Sequence, residues 1–213
     1  MTEVIKYYLE NGPNVFLSAL DLTKAFDRVN HFKLFTALLE KRIPPWVVLV
    51  LENWYSKLTS RVRWNNVLSN AFDVKSGVRQ GGSLSPALFN VLVDPCITKI
   101  KETKAGCTMG GYFVGMIMYA DDILLISPTV QGLQTMLDNC SDVFDNIKLQ
   151  FNAKKSVCVA LGAASEYQIT DMKLQDGSIA WVKMFKYLGV SFIAGKILTV
   201  DNNIPIRKVS ISF

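Results

Sequence analysis

Apolar and polar positions along the chain first separate into short strand-like runs and longer helical periods. Val15-Phe-Leu-Ser-Ala-Leu20 is a compact apolar run that stops at Asp21. Met116-Ile-Met-Tyr119 and Ile123-Leu-Leu-Ile126 are two more, and only Ala120-Asp121-Asp122 interrupts them. This pattern predicts a buried hairpin with both aspartates at its tip. Met1 to Asn11 reads as the tail of a helix, turned into the first strand by Gly12-Pro13-Asn14. A helix follows Asn30 and runs through Phe32 to Glu40, and Pro44-Pro45 ends it and opens the next. In that next helix Trp46, Val50 and Trp54 recur every four residues, which predicts that this face packs inward.

Ser60 to Trp64, Asn65-Asn66 and Val67 to Val74 read as a hairpin. There Arg61 and Arg63 alternate with Val62 and Trp64, predicting one basic and one apolar face. The basic face suits either solvent or a nucleic acid. Ser85-Pro86 supplies an N-cap and first-turn pair for a helix through Leu88, Leu92 and Ile97 to about Lys101. Ser127-Pro128 does the same for a helix to about Lys148. Asn152-Ala-Lys154-Lys155 leads into a strand through Ala160, and Phe185 to Val190 reads as an apolar hairpin. From Asp201 onward no period is visible. Hairpins mixed with helices, rather than alternating βαβ units, predict an α+β fold with helices on one face of an antiparallel sheet.

Composition sharpens this only a little. The chain has 213 residues, 50% of them hydrophobic and 19% charged, enough for a sizeable core and too apolar for a disordered segment. Its net charge of +5 leans towards a polyanionic partner. Cys96, Cys107, Cys140 and Cys158 include no C-x-x-C pair, and His31 is the only histidine, which argues against structural zinc. With no secretory signal, the cysteines read as free thiols of an intracellular protein, nuclear or cytoplasmic. No apolar run is long enough to span a membrane.

The chemistry lies in the acidic residues. Two adjacent carboxylates beside a core are costly unless neutralised, and a divalent cation such as Mg²⁺ suits carboxylate oxygens. Asp21, ending its own strand, could share such ions with Asp121 and Asp122, and two close metals serve in-line phosphoryl transfer. The competing reading is three ordinary strand-end aspartates in turns. A third feature is the loop Ser76-Gly-Val-Arg-Gln-Gly-Gly-Ser-Leu-Ser-Pro86, in which glycines allow close backbone approach to a ligand.

In order along the chain, Asp21-Leu-Thr-Lys-Ala-Phe-Asp27, the loop from Ser76 to Pro86 with Phe89 and Asn90, Tyr119-Ala-Asp-Asp122, Asn152-Ala-Lys-Lys155 and Phe185-Lys-Tyr-Leu-Gly-Val190 resemble the five palm motifs of the reverse transcriptase domain of non-LTR (LINE-like) retrotransposons. Group II intron reverse transcriptases are near neighbours. The similarity covers most of residues 15 to 193. It implies an α+β polymerase palm, an antiparallel sheet backed by helices, with part of the fingers. Residues 1 to 213 would then be a partial domain whose upstream fingers and thumb are absent or incomplete. Such a piece would expose apolar surface and dissolve poorly.

The resemblance implies an RNA-directed DNA polymerase that adds dNTPs to a primer 3′-hydroxyl. Its partners would be an RNA template, a DNA primer and the remaining retroelement domains, with no membrane. Asp21, Asp121 and Asp122 would ligate two Mg²⁺ ions, with Mn²⁺ able to substitute, and the Leu22 carbonyl would complete one shell. Phe26 would lie under the nucleotide sugar and exclude a 2′-hydroxyl, though it reads equally as a core aromatic. Gln80 and Gly81 would line the nucleotide pocket beside Tyr119 and Asn152, and Arg79 would position the template. Lys155 would face the leaving pyrophosphate, although a solvated strand-end lysine fits the same residue. Tyr187, Leu188 and Gly189 would grip the primer end. Two rival functions use the same residues: an inactive retroelement fragment that only binds nucleic acid, and a metal-dependent nuclease.

Overall fold

The structure is a computed structural model in which residues 1–175 and 177–200 are described. The tail beyond Val200, where the sequence shows no period, lies outside them. In chain order the helices are α1 (Thr2–Asn11), α2 (His31–Glu40), α3 (Pro45–Ser56), α4 (Ser85–Glu102) and α5 (Val130–Asn146). The strands are β1 (Asn14–Leu20), β2 (Thr59–Ser60), β3 (Arg63–Trp64), β4 (Val67–Leu68), β5 (Phe72–Asp73), β6 (Thr108–Met109), β7 (Tyr112–Phe113), β8 (Met116–Tyr119), β9 (Asp122–Ser127) and β10 (Val157–Gly162). They continue with β11 (Met172–Leu174), β12 (Gly177–Ile179), β13 (Met184–Tyr187), β14 (Val190–Ile193) and β15 (Thr199–Val200).

The central sheet is antiparallel, in the order β10-β1-β9-β8. Its two faces divide the apolar residues by strand alternation. Phe16, Leu20, Ile123, Leu125 and Cys158 face one core, shared with Leu34 of α2, Val48 of α3, Phe89 of α4 and Phe144 of α5. Val15, Leu17, Leu124, Ile126, Val159 and Leu161 face a second core, covered by Val4 and Ile5 of α1 and by Phe185, Tyr187 and Phe192 of β13–β14. The expectation of helices on one face is therefore corrected. Four helices take one side, but α1 and a hairpin close the other, because both faces of the β1 run Val15 to Leu17 are fully apolar.

Other expectations also change. In α3 the predicted inward residues Trp46, Val50 and Trp54 are 69%, 62% and 52% exposed. Val48 and Tyr55 point inward instead, with the Tyr55 ring edge-on to His31 at 4.8 Å. The helix is apolar nearly all round, so spacing alone chose the wrong stripe. Between β2 and β5 no apolar face is buried: Val62, Trp64, Val67, Leu68 and Phe72 are all exposed, since two-residue strands present too little surface to dock on the body. Ile97 is exposed while Val93, Cys96 and Ile100 line the buried side of α4. α4 begins at Ser85, with Leu84 rather than Ser85 at its cap position, because the Ser85 hydroxyl donates to the Arg79 carbonyl at 2.5 Å. At α5 the cap is Thr129, which accepts from the Gly132 N–H at 3.0 Å, while the Ser127 hydroxyl bonds the Ala105 and Thr129 carbonyls.

All four cysteines are buried free thiols, with Cys96 and Cys140 Sγ atoms 3.7 Å apart between α4 and α5. Burial pushes the Cys107 and Cys158 thiols up to about 12, so neither is a reactive thiolate near neutrality. Among the described residues no helix is long and apolar enough to cross a membrane.

Candidate nucleotidyl-transfer site

The register of the central sheet builds the site. β1 pairs with β9 so that Leu20 meets Ile123, and with β10 so that Ala19 meets Val157. Continued one and two steps, those ladders place Asp21 beside Asp122 on one side and beside Lys155 on the other. Alternation assigns Asp21, Asp122 and Lys155 the same face as Leu17, Leu124 and Val159, the face covered by the β13–β14 hairpin. The Lys155 Nζ lies 4.0 Å from the Asp21 Oδ2, a long and solvated ion pair. Three segments distant in sequence thus deliver a cation and two carboxylates to one end of one sheet.

Only one aspartate occupies the hairpin tip. Tyr119 pairs with Asp122, so the two-residue turn is Ala120-Asp121, and Asp122 is the first residue of β9. Ala120 adopts a left-handed φ of 53°, the conformation that two-residue hairpin turns require. That geometry aims Asp121 and Asp122 differently, and it corrects the expectation of a paired tip. Partial burial raises the Asp122 carboxyl above the usual range, and the charges of Asp121 and Asp21 raise it further. Exposed Tyr119 lies at the rim of the same face.

On the β10 side, a turn closed by Asn152 presents Lys155. The Asn152 carbonyl accepts from the Lys155 and Ser156 N–H groups at 3.0 and 2.9 Å. The Ser156 hydroxyl also donates to that carbonyl, and it accepts from the Asp21 N–H at 3.1 Å. Buried Leu22 bridges Phe151 through bonds that use the Asp21 carbonyl and the Thr23 N–H, each 2.8 Å long. Those bonds leave the Leu22 carbonyl unconsumed. Tyr187, from β13, is buried; its hydroxyl donates weakly to the Ile117 carbonyl at 3.4 Å. Burial, and then the Asp122 charge, push this phenol up to about 12. Leu188 and Gly189 form the left-handed turn of that hairpin, with φ of 47° and 80°, and Leu188 is exposed.

The glycine loop docks elsewhere, on the short helical turn Phe26–Arg28. The Gly77 N–H donates to the Val29 carbonyl (2.8 Å) and the Val78 N–H to the Phe26 carbonyl (2.7 Å). Gln80 Nε2 donates to Asp27 Oδ1 at 2.9 Å. His31 Nε2 lies 2.8 Å from the Gly77 carbonyl, so it carries the proton. Phe26 is half-buried and stacks on buried Phe89, with centroids 4.9 Å apart, so it is both a core aromatic and a partly open ring. Arg79, Gln80 and Gly81 are exposed. Two cavities flank them, about 730 Å³ on the Asp27 side and about 390 Å³ on the Trp54 side. Neither is lined by Asp21, Asp121 or Asp122, so the structure gives two adjoining patches rather than one enclosed pocket. Asp27 and His31 are the docking residues that sequence reasoning missed as functional. Asp27 stands within the first motif, and that position was the available signal.

The acidic donors fit a hard divalent cation: all are carboxylate oxygens, and burial, then the charges of Asp121 and Asp21, raise Asp122. Among the described residues no group of three or more His, Cys, Asp or Glu side chains is placed to hold a metal ion. In chelator, stability is expected to fall as pH rises through the raised Asp122 value, because the folded state there holds a proton that the unfolded state has released. Melting temperatures of the wild-type chain and Asp122→Asn from pH 4 to 7 check this; the slope flattens in the variant.

An antiparallel sheet with carboxylates and a lysine gathered at one end defines the polymerase palm class. The reverse transcriptase (RNA-dependent DNA polymerase) family matches residues 2–192. A Pol polyprotein of the retrotransposable element R2DM of Drosophila melanogaster is 27% identical over 90% of this chain and 19% of its own length. An R2 Pol polyprotein of Nasonia vitripennis is 30% identical over 69% of this chain and 14% of its own length. In fold, apo telomerase from Candida tropicalis matches with a TM-score of 0.65 at 15% identity, over 93% of this chain and 38% of that one. The chain belongs to the reverse transcriptase family, and its relatives place it among the domains of non-LTR retrotransposons. It spans less than a fifth of the length of these two polyproteins.

Proposed function

We propose that this chain is the palm, with part of the fingers, of an RNA-directed DNA polymerase that extends a DNA primer on an RNA template with dNTPs. The observation that carries this reading is the convergence of Asp21, Asp122 and Lys155 on one face at one sheet end, delivered by the registers of β1, β9 and β10. Asp21, Asp121 and Asp122 would hold two Mg²⁺ ions, with Mn²⁺ as a substitute, and the Leu22 carbonyl would join one shell. Bound there, the ions supply Lewis acidity for the attacking and leaving oxygens of an in-line displacement.

The chain's own groups do the placing. Lys155, held by the Asn152 turn, offers charge or a proton to the departing pyrophosphate. Phe26, braced by Phe89, would sit under the sugar and exclude a 2′-hydroxyl by its volume. Arg79, Gln80 and Gly81 border the cavity for nucleotide and template, and Tyr119 offers a ring at the rim of the carboxylate face. Tyr187, Leu188 and Gly189, on the face that carries Asp122, contact the primer end. The other parts of the polyprotein, including further fingers, thumb and endonuclease, would complete the binding track.

Primer extension on an RNA template with dNTPs and Mg²⁺ tests the reading, with Asp121→Asn/Asp122→Asn as control. Extension by the wild-type chain alone supports it. Absence of extension moves the chain to an inactive, nucleic-acid-binding fragment. Cleavage of primer–template without dNTPs supports a nuclease. Phe26→Ala is expected to raise use of ribonucleotides about 100-fold relative to dNTPs, since a pocket rejects an added hydroxyl only to about that extent. Competition between rATP and dATP in the same assay measures it; unaltered selectivity removes Phe26 from the sugar site.

A further inference from the structure

Gln80 is tied to the first motif by one side-chain contact, and the chemistry of that contact fixes which way its amide faces. Asp27 offers only acceptor oxygens when ionised, so the Gln80 atom 2.9 Å from its Oδ1 must be the NH₂ nitrogen. The amide oxygen of Gln80 is thereby left free to accept. The backbone beneath this contact is docked by independent bonds. Gly77 and Val78 donate to the carbonyls of Val29 and Phe26, and the Ser76 hydroxyl donates to the Asp27 carbonyl at 3.3 Å. His31 secures the Gly77 carbonyl from the other side. The loop backbone therefore does not need the Asp27 carboxylate to stay in place. What the carboxylate uniquely determines is the rotamer and flip of Gln80, at the wall of the larger cavity.

We propose that Asp27 is a positioning residue that orients the Gln80 amide, so that its carbonyl oxygen accepts from a hydroxyl or N–H donor of the incoming nucleotide. The inference rests on the polymerase reading above and adds a residue that contacts the glutamine rather than the nucleotide. Without Asp27 the amide rotates freely and spends part of its time with NH₂ facing the donor, which weakens nucleotide binding more than it slows the chemical step.

Steady-state primer extension tests this with Asp27→Ala, Asp27→Asn and each combined with Gln80→Leu. Asp27→Ala is expected to raise KM for dNTP about tenfold with kcat within about twofold. Asp27→Asn, which keeps an oxygen acceptor, should restore KM to within about threefold. In the Gln80→Leu background, Asp27→Ala should add nothing. An unchanged KM in Asp27→Ala, a fall in kcat alone, or a full Asp27→Ala effect without Gln80 overturns the proposal and leaves Asp27 a loop brace. If the wild-type chain extends no primer, the polymerase reading fails separately. The ¹⁵N side-chain amide resonance of Gln80 then decides the positioning role. A shift on adding dNTP with Mg²⁺ in the wild-type chain but not in Asp27→Ala sustains it, and identical responses overturn it.

Discussion

Asp21→Asn and Asp121→Asn are each expected to abolish RNA-templated primer extension, by at least about 1,000-fold, with the melting temperature within about 3 °C of wild type. The two halves of that result have separate physical origins. Loss of synthesis follows because an amide cannot supply the charged oxygen that a hard cation needs, so the reacting phosphate loses its electrostatic anchor. Retained stability follows from the sheet. Asp21 lies one residue past the paired end of β1, and Asp121 lies in a turn. Burial, and then the charges of Asp121 and Asp21, raise the Asp122 carboxyl, so removing either charge relieves repulsion. Extension rates and thermal melts on the same preparations check both halves. Robust extension by either variant sinks the assignment of the site, and a collapsed melting temperature makes the loss of activity a folding effect.

Gly77→Ala is expected to produce the second large effect, a fall in extension of about 100-fold with a smaller loss of stability. Gly77 has a φ of +92°, and a Cβ there would lie 2.7 Å from the Asp27 carbonyl oxygen and 3.0 Å from its carbonyl carbon and Cα. Those are backbone atoms of the first motif, so the alanine cannot be accommodated by turning a side chain. The loop must lift from the Phe26–Arg28 turn, breaking the Val29 and Phe26 carbonyl bonds and carrying Gln80 off Asp27. A displacement of about 1 Å at a positioning element is enough for such a loss. Gly81→Ala serves as the control: it has positive φ but no atom within 4 Å of its Cβ position, so it carries strain without a clash. Equal activities for Gly77→Ala and wild type would show that the loop need not dock to work.

The elements that the sequence announced correctly share one property: strong periodicity bounded by a turn residue. β1, the β8–β9 hairpin and β13–β14 are apolar runs cut by Asp21, Ala120-Asp121 and Leu188-Gly189. α2 was legible from Asn30, whose side chain accepts from the Lys33 N–H at 3.0 Å. Where apolar residues surround a helix, as in α3, periodicity carries no direction, and the contact of Tyr55 with His31 decided the buried side. The β6–β7 and β11–β12 hairpins escaped because strands of two or three residues have too little alternation to count, although Gly110-Gly111 marked the first turn. At the site, the carboxylates were legible by type, and their common face follows from register. The bond from Gln80 to Asp27 was not legible, because 53 residues separate its partners and nothing local links them.

The registers that align Asp21 also set a timetable. β1 leaves the ribosome well before its edge partner β10, which pairs Gly162 with Asn14. The central strand must wait, half-paired, until nearly 150 further residues have been made. Long-range antiparallel closure of this kind is slow and leaves an apolar edge open meanwhile. A nascent chain halted before Lys155 therefore carries all three aspartates without that lysine, on a sheet whose central strand still has one edge open.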